Sequence, residues 1–262
     1  LLNEDIETIF LHTKKVVKSL EGKTVLITGG NGFLGNYLFE YLQNKVIVFR
    51  ISRRKNYGIY IKQFNNINIS NVLKKLKPDV IINTIANTNV DDCEKNKLAA
   101  NKSNVETISK ITNSILKLSD KNYNPFLIHI STDQVYSGSG PHTEKKINPL
   151  NNYAKTKLKG EKIASKVKSC ILRTNFLGYS KKYKNLNSWL IKTAIINNKI
   201  YGFKNIFFSP VSIETLSKII LRISRKKVSG TYNLGSEGKI SKGKYIQKFT
   251  QALFPNYKKF VY

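Results

Sequence analysis

Methionine is missing from this chain of 262 residues, so no initiator is present. The chain also stops soon after a helix-like segment, GKYIQKFTQALF (243–254). Both features suggest part of a longer protein, incomplete at its C-terminus. Cysteine is nearly absent: Cys93 and Cys170 stand alone and far apart. Isolated thiols exclude a disulfide framework and a cysteine-based metal site, and they suit a reducing cytoplasm. The three histidines, His12, His129 and His142, share no ligand spacing, and His129 reads as a packed strand residue. No run approaches the roughly 18 apolar residues of a membrane span. The segment IETIFLHTKKVVKSLEG (6–22) is too interrupted by charge for a signal peptide. Its Ile6, Ile9, Phe10, Val16, Val17 and Leu20 recur at helical spacing before Gly22, so 1–22 reads as an N-terminal amphipathic helix. Internal repeats and low-complexity linkers are also lacking.

Acidic residues are few: 16 against 45 Lys plus Arg, a formal charge of +29. Such a balance invites a nucleic-acid reading. The lysines, however, are spread through nearly every segment, without an RGG stretch or a zinc-finger spacing. They read as a solvated surface, which excludes nucleic acid as a partner and still attracts anionic ligands. Hydrophobic residues make up 40% of the chain, enough for a sizeable core.

From residue 23 short apolar runs alternate with helical patterns. KTVLIT (23–28), VIVFRI (46–51), IYIKQF (59–64), DVIINTIA (79–86), FLIHIS (126–131) and CILRT (170–174) read as strands. NYLFEYLQ (36–43), VLKKLK (72–77), 98–119 and YAKTKLKGEKIASKV (153–167) read as helices. This order predicts an α/β fold, a Rossmann-type doubly wound parallel sheet over 23–174. After residue 175 the alternation loosens. Helices over 188–196, 213–224 and 245–254, with short strands between them, predict a small substrate-binding lobe, 175–262, on the sheet's carboxyl edge.

Between the first strand and helix lies TGGNGFLG (28–35). Glycines there allow a tight turn and close approach of backbone to a pyrophosphate at a helix N-terminus. The stretch can be read as G-x-x-G-x-x-G from Gly29 or as G-x-G-x-x-G from Gly30. The acidic residue that grips an adenosine ribose is due about 20 residues later, at the end of the second strand. Arg50, Ser52, Arg53 and Arg54 stand there instead. A guanidinium pairs with a 2′-phosphate, so NADP(H) is favoured over NAD(H).

Tyr153 and Lys157, in YAKTK, share a helix face at i and i+4. An ammonium beside a phenol lowers its pKa and holds a ribose, and the phenol gives a proton to a carbonyl oxygen as hydride arrives. ISTDQVYSG (130–138) ends a strand some twenty residues earlier and offers the hydroxyls of Ser131 and Thr132 at the same edge.

Taken in order, TGGNGFLG, INTIANT, STDQVYSG, PLNNYAKTKLKGE and ILRTNFLG resemble the extended short-chain dehydrogenase/reductases, and within them the dTDP-4-dehydrorhamnose reductases. The resemblance covers 23–252. It implies the G-x-x-G-x-x-G reading, with Gly29, Gly32 and Gly35 as the glycines and Phe33 and Leu34 continuing the pyrophosphate loop. It implies Tyr153 as proton donor, Lys157 on the nicotinamide ribose and Thr132 on the reacting oxygen. Ser131 and Asp133 fall beside the substrate, Ile85, Ala86 and Thr88 beside adenosine and ribose. Asn101 matches a helix Asn near the active site, and Phe176 a frequent tryptophan near the sugar. Arg50 replaces the family's ribose-binding acid, and Asn68 an adenine-contacting Asp.

The implied activity is NADPH-dependent reduction of a 4-keto-6-deoxy nucleotide sugar for cell-surface polysaccharide synthesis, by a cytoplasmic enzyme that forms a homodimer. The alternatives are an NAD-retaining epimerase or dehydratase and a non-catalytic regulatory subunit. Some relatives dimerise through a metal held by acidic residues; with 16 such residues, this chain is expected to hold none.

Overall fold

A computed structural model describes residues 22–43, 46–55, 58–119, 123–138, 140–182 and 185–261. The helix expected over 1–22 lies outside the described residues, apart from Gly22. The centre is a seven-stranded, all-parallel sheet. Its strands are β1 (Thr24–Thr28), β2 (Ile47–Ser52), β3 (Ile59–Tyr60), β4 (Val80–Asn83), β5 (Phe126–Thr132), β6 (Ser169–Thr174) and, later in the chain, Gly230–Leu234. Around β1 to β6 run the helices α1 (Phe33–Leu42), α2 (Asn66–Leu76), α3 (Val90–Lys95), α4 (Lys97–Asn101), α5 (Thr107–Leu118) and α6 (Asn152–Ala164). The lobe follows with β7 (Phe176–Leu177), α7 (Leu186–Ile195), β8 (Ile200–Tyr201), β9 (Phe207–Phe208), β10 (Val211–Ser212), α8 (Ile213–Lys226), β11 (Gly230–Leu234), β12 (Ile240–Ser241), α9 (Lys242–Leu253) and β13 (Phe260–Val261).

The sheet order is β3-β2-β1-β4-β5-β6-β11. The reversal of order between β1 and β4 is the topological switch point, where open α/β sheets bind ligands. Central strands covered on both faces must be apolar throughout. Every residue of β4, β5 and β6 is buried accordingly. Leu26, Ile81, Leu127 and Ile171 pack against α2 and α5 on one face. Val25, Ile82, Ile128 and Leu172 pack against α1 and α8 on the other. Local signals set the helix ends. Asn151 Oδ1 caps α6 by accepting from Ala154 N at 2.8 Å, and Lys77 closes α2 in the left-handed region just before Pro78.

One expectation needs correction. The chain does not divide in space at residue 174. Leu216, Ile220 and Leu221 of α8 sit in the sheet's core, and β11 pairs with β6 in register from Gly230↔Cys170 to Leu234↔Thr174. The apolar face of α8 must be covered, and the sheet's open flank covers it. The helix expected over 98–119 runs from Lys97 to Leu118, with a π-helical turn at Lys102–Glu106 between α4 and α5. Helix α3 was not anticipated; Asn89 caps it, and Asp91 and Asp92 lie favourably in its first turn.

Candidate active site

At the carboxyl edge of the sheet, facing the lobe, lies a cavity of about 590 Å³. One end of it begins at the glycine loop. Gly29 has φ +78°, and a Cβ there would lie 2.7 Å from Thr84 Oγ1 and 2.9 Å from Ile85 N. A Cβ on Gly35 would meet Gly29 C and Thr84 Oγ1 at 2.8 Å. The turn closes through Gly32 N donating to Gly29 O at 2.8 Å. Gly32 brings no side-chain acceptor to the first-turn amides of α1, whose Phe33 and Leu34 line the cavity. This cradle admits backbone-to-phosphate approach and would be filled by any larger residue, so it fits a dinucleotide pyrophosphate.

Ala86 and Thr88 also line the cavity, joined by Thr84. Ile85 packs over Gly29 instead. Thr84 Oγ1 donates to Thr28 O at 2.8 Å and so ties the β4 loop to the glycine turn.

Further out, the expected ribose contacts separate. The Arg50 guanidinium turns back along α1: it stacks 4.0 Å over the Phe39 ring and donates to Asn36 Oδ1 at 3.0 Å. Its stem lies against Gly30 and Gly58, where added Cβ atoms would come 2.5 Å from Arg50 atoms. Ser52 Oγ, at the strand end, accepts from Asn31 Nδ2 at 2.6 Å and Arg54 N at 2.7 Å. Arg53 and Arg54 are exposed beside it. Asn68 sits in the first turn of α2, not in a strand, and its amide donates to Gln63 O at 2.8 Å.

Thr132, Tyr153 and Lys157 meet at the cavity wall. Tyr153 and Lys157 lie one turn apart on α6, and the Thr132 side chain neighbours the Tyr153 phenol. Burial pushes that phenol up to about 12, with Thr132 pulling the other way. Burial also brings the Lys157 ammonium down to about 8, against the opposing charge of Glu161 one turn on. Lys157 Nζ donates to Ile130 O at 2.6 Å. His129, below, is packed: its Nδ1 meets Asn83 Nδ2 at 2.9 Å, and burial holds it well below its usual range, hence neutral.

The expected substrate contacts are placed unevenly. Phe176 lines the cavity and stacks on Phe33 with ring centres 6.2 Å apart. Ser131 reaches the cavity, but its hydroxyl donates to Glu161. Glu161 and Arg173 form a bidentate ion pair, both side chains 4% exposed, with Arg173 Nη2 2.6 Å from Glu161 Oε2. Asp133 lies in the short turn after β5, its carboxyl raised by burial, and Gln134 takes the place on the cavity lining.

Asn101 is half-buried at the end of α4; the asparagine that reaches α6 is Asn104, in the π turn. Asn104 accepts from Asn87 N at 2.7 Å and donates to Thr156 Oγ1 at 3.0 Å. The π turn's extra residue swings this side chain inward, a change of phase that regular helical spacing conceals. Asn175, Asn187 and Lys242 also line the cavity without a sequence signal of their own. Among the described residues no cluster of three or more His, Cys, Asp or Glu gathers, and no helix is long and apolar enough to cross a membrane.

A doubly wound parallel sheet, a glycine turn at its switch point and a Thr–Tyr–Lys set beyond it define a protein of the extended short-chain dehydrogenase/reductase type. Within that class the chain belongs to the family described as the RmlD substrate binding domain, which matches residues 23–257. Over 193 residues it is 31% identical to a dTDP-4-dehydrorhamnose reductase of Shigella flexneri. That match takes in 68% of this chain but only 62% of the relative's length. Over 151 residues it is 32% identical to the methionine adenosyltransferase 2 subunit beta of Bos taurus, covering 55% of this chain and 43% of that protein. The fold superposes on a dTDP-4-dehydrorhamnose reductase of Bacillus anthracis in complex with NADP, with TM-score 0.79 and 22% identity over 91% of this chain and 83% of that one.

Proposed function

We propose that this protein is an NADPH-dependent reductase of a 4-keto-6-deoxy nucleotide sugar, working in the cytoplasm as a homodimer in cell-surface polysaccharide synthesis. The observation that carries the reading is the buried Tyr153 phenol, beside Thr132 and Lys157 on the wall of a cavity that starts at the glycine turn. When bound, the dinucleotide supplies the hydride that reduces the carbonyl carbon. Gly29, Gly32 and Gly35 would hold its pyrophosphate, with Ala86 and Thr88 beside the adenosine side. Arg53, exposed at the end of β2, would meet a 2′-phosphate, since Arg50 is engaged on α1. NADP in a solved protein of the same fold supports that preference.

Thr132 orients the substrate oxygen, and Tyr153 passes its proton to that oxygen as C=O becomes CH–OH. A phenol held at about 12 stays protonated at neutral pH and so has a proton to give; burial outweighs the lowering expected from Lys157. Lys157 holds the ribose hydroxyls, and Phe176 with Phe33 forms an apolar face for the sugar. Holding the carbonyl beside Tyr153 in one orientation supplies much of the rate.

The test is oxidation of NADPH and NADH with dTDP-4-keto-6-deoxy sugars, wild type beside Tyr153→Phe. The expected result is turnover favouring NADPH and a fall of about 10²–10⁴-fold in the variant. Undiminished turnover in Tyr153→Phe would remove the tyrosine from the chemistry. Absence of turnover with either cofactor would move the reading toward a non-catalytic regulatory subunit.

A further inference from the structure

Lys157 is a buried cation, 2% exposed. Among the described residues its ammonium meets one acceptor, Ile130 O, and forms no ion pair. A charge taken out of water in this way is costly unless an opposite charge offsets it. That charge stands one turn further along α6, at Glu161. Positions i and i+4 of a helix share a face. Consecutive residues of β5 hold the two ends of this one: Ile130 O takes the Lys157 ammonium, and the Ser131 hydroxyl donates to the Glu161 carboxylate.

The carboxylate is fixed from its far side too. Arg173 Nε lies 3.1 Å from both of its oxygens, and Nη2 lies 2.6 Å from Oε2. The rest of the guanidinium runs outward, where Nη1 donates to Tyr136 Oη at 2.7 Å and to Glu144 O at 2.8 Å. Tyr136 Oη in turn donates to Asn233 Oδ1, on β11, at 2.6 Å.

The other titratable groups around Lys157 bring no counter-charge. His129, on β5, is kept neutral by burial and by the lysine itself. Tyr153, on α6, keeps its proton, its phenol pushed up to about 12. Asp133 lies toward the cavity, where it acts on Tyr153 and feels Lys242. Lys157, Glu161 and Arg173 therefore make a buried set of two cations and one anion. Without the anion one cation must give way. A guanidinium keeps its proton, so the ammonium yields.

We propose that Glu161 is a positioning residue that acts through Lys157: its carboxylate, locked by Ser131 and Arg173, keeps that lysine an ammonium in the cavity wall and so sets the pH range in which a dinucleotide's ribose is held. The part concerning the ribose rests on the reductase reading of the cavity.

The test follows the Lys157 ε-carbon by NMR in carbon-13-lysine protein without ligand, across about pH 6–10. The signal is identified by its loss in Lys157→Met. In Glu161→Gln the titration midpoint should fall by about one pH unit or more, and in Arg173→Met it should rise. Both changes break the same ion pair, so a merely structural role would move the two alike. The double variant Glu161→Gln with Arg173→Met strands no charge and serves where a single variant does not fold. Its midpoint should still lie below wild type, because the carboxylate acts on Lys157 while the guanidinium runs outward. NADPH affinity is read by fluorescence over the same range. At about pH 8 wild type is half protonated and Glu161→Gln about one tenth, so affinity should be about fivefold weaker in the variant and recover as pH falls. Midpoints that do not move, that move the same way in both single variants, or that stay at or above wild type in the double variant overturn the proposal and leave the reductase reading standing. Midpoints that move as expected while NADPH affinity ignores them uphold the hold of Glu161 on the lysine and remove Lys157 from the cofactor.

Discussion

On the sheet side of the cavity several polar groups are already engaged with the protein: Lys157 donates to Ile130 O and Ser131 to Glu161, while the buried Thr174 Oγ1 has no partner among the described residues. On the lobe side, Lys242 lines the cavity and makes no ion pair among the described residues. The contrast separates two tasks. Groups that act on a reacting bond work best when they are fixed beforehand, because no reorganisation is then required at the moment of reaction. Groups that select a ligand must instead leave their donors available. The lobe can thus change what enters the cavity while the sheet keeps the chemistry.

The sharpest way to break the sheet side is through Glu161. Removing one partner of a buried ion pair leaves an uncompensated charge, which costs about 3–5 kcal/mol. Glu161→Gln would strand Arg173, whose Nη1 also holds Tyr136 Oη at 2.7 Å and Glu144 O at 2.8 Å. A double replacement, Glu161→Leu with Arg173→Met, should be less harmful than either single change. Urea denaturation of the three variants decides; additive losses would mean that the pair is not coupled.

How much of each wall was legible in the sequence follows from the same contrast. The glycine turn and Y-x-x-x-K are short spacings on one element, so the turn, Tyr153 and Lys157 could be read directly, while the choice of Gly29, Gly32 and Gly35 came from the family resemblance. Lys242 and Asn187 meet only through tertiary packing, and Lys242 is one of 45 Lys plus Arg. Arg50 was legible as a position on β2. Its direction was set by Gly30 and Gly58, whose missing side chains make room for its stem beside α1. Strand β11, GTYNL, escaped because a half-exposed edge strand carries mixed polarity.

The pH dependence sharpens the comparison next. In the folded protein Lys157 titrates at about 8, below its ordinary 10.5. Below about 8 the folded state carries a buried ammonium at an energetic penalty; between 8 and 10.5 the unfolded chain binds more protons, so stability rises with pH. Over the same window NADPH binding should weaken, because the ammonium that would hold the ribose is lost. Stability and binding therefore move in opposite directions. Denaturation and fluorescence titration at pH 7 to 10, with Lys157→Met as the reference, measure both. A stability difference between wild type and Lys157→Met that does not vary with pH would contradict the burial argument.

The smallest effect distinguishes two asparagines one turn apart. Asn104, 2% exposed, closes a bridge: it accepts from Asn87 N, donates to Asn87 O at 3.1 Å and to Thr156 Oγ1, and Thr156 Oγ1 donates to Tyr153 O at 2.8 Å. Asn87 lies between the cavity residues Ala86 and Thr88, so this bridge ties the cofactor-side loop to the helix that carries Tyr153. Asn104→Ala leaves the Asn87 amide without its acceptor, a loss of about 1–3 kcal/mol. Asn101→Ala removes only a half-buried side chain from the end of α4 and should stay within about 0.5 kcal/mol. If the two substitutions cost the same, the inward swing of the π turn has no energetic consequence. If Asn104→Ala also raises KM for NADPH more than Asn101→Ala does, the bridge sets the position of the loop as well as its stability.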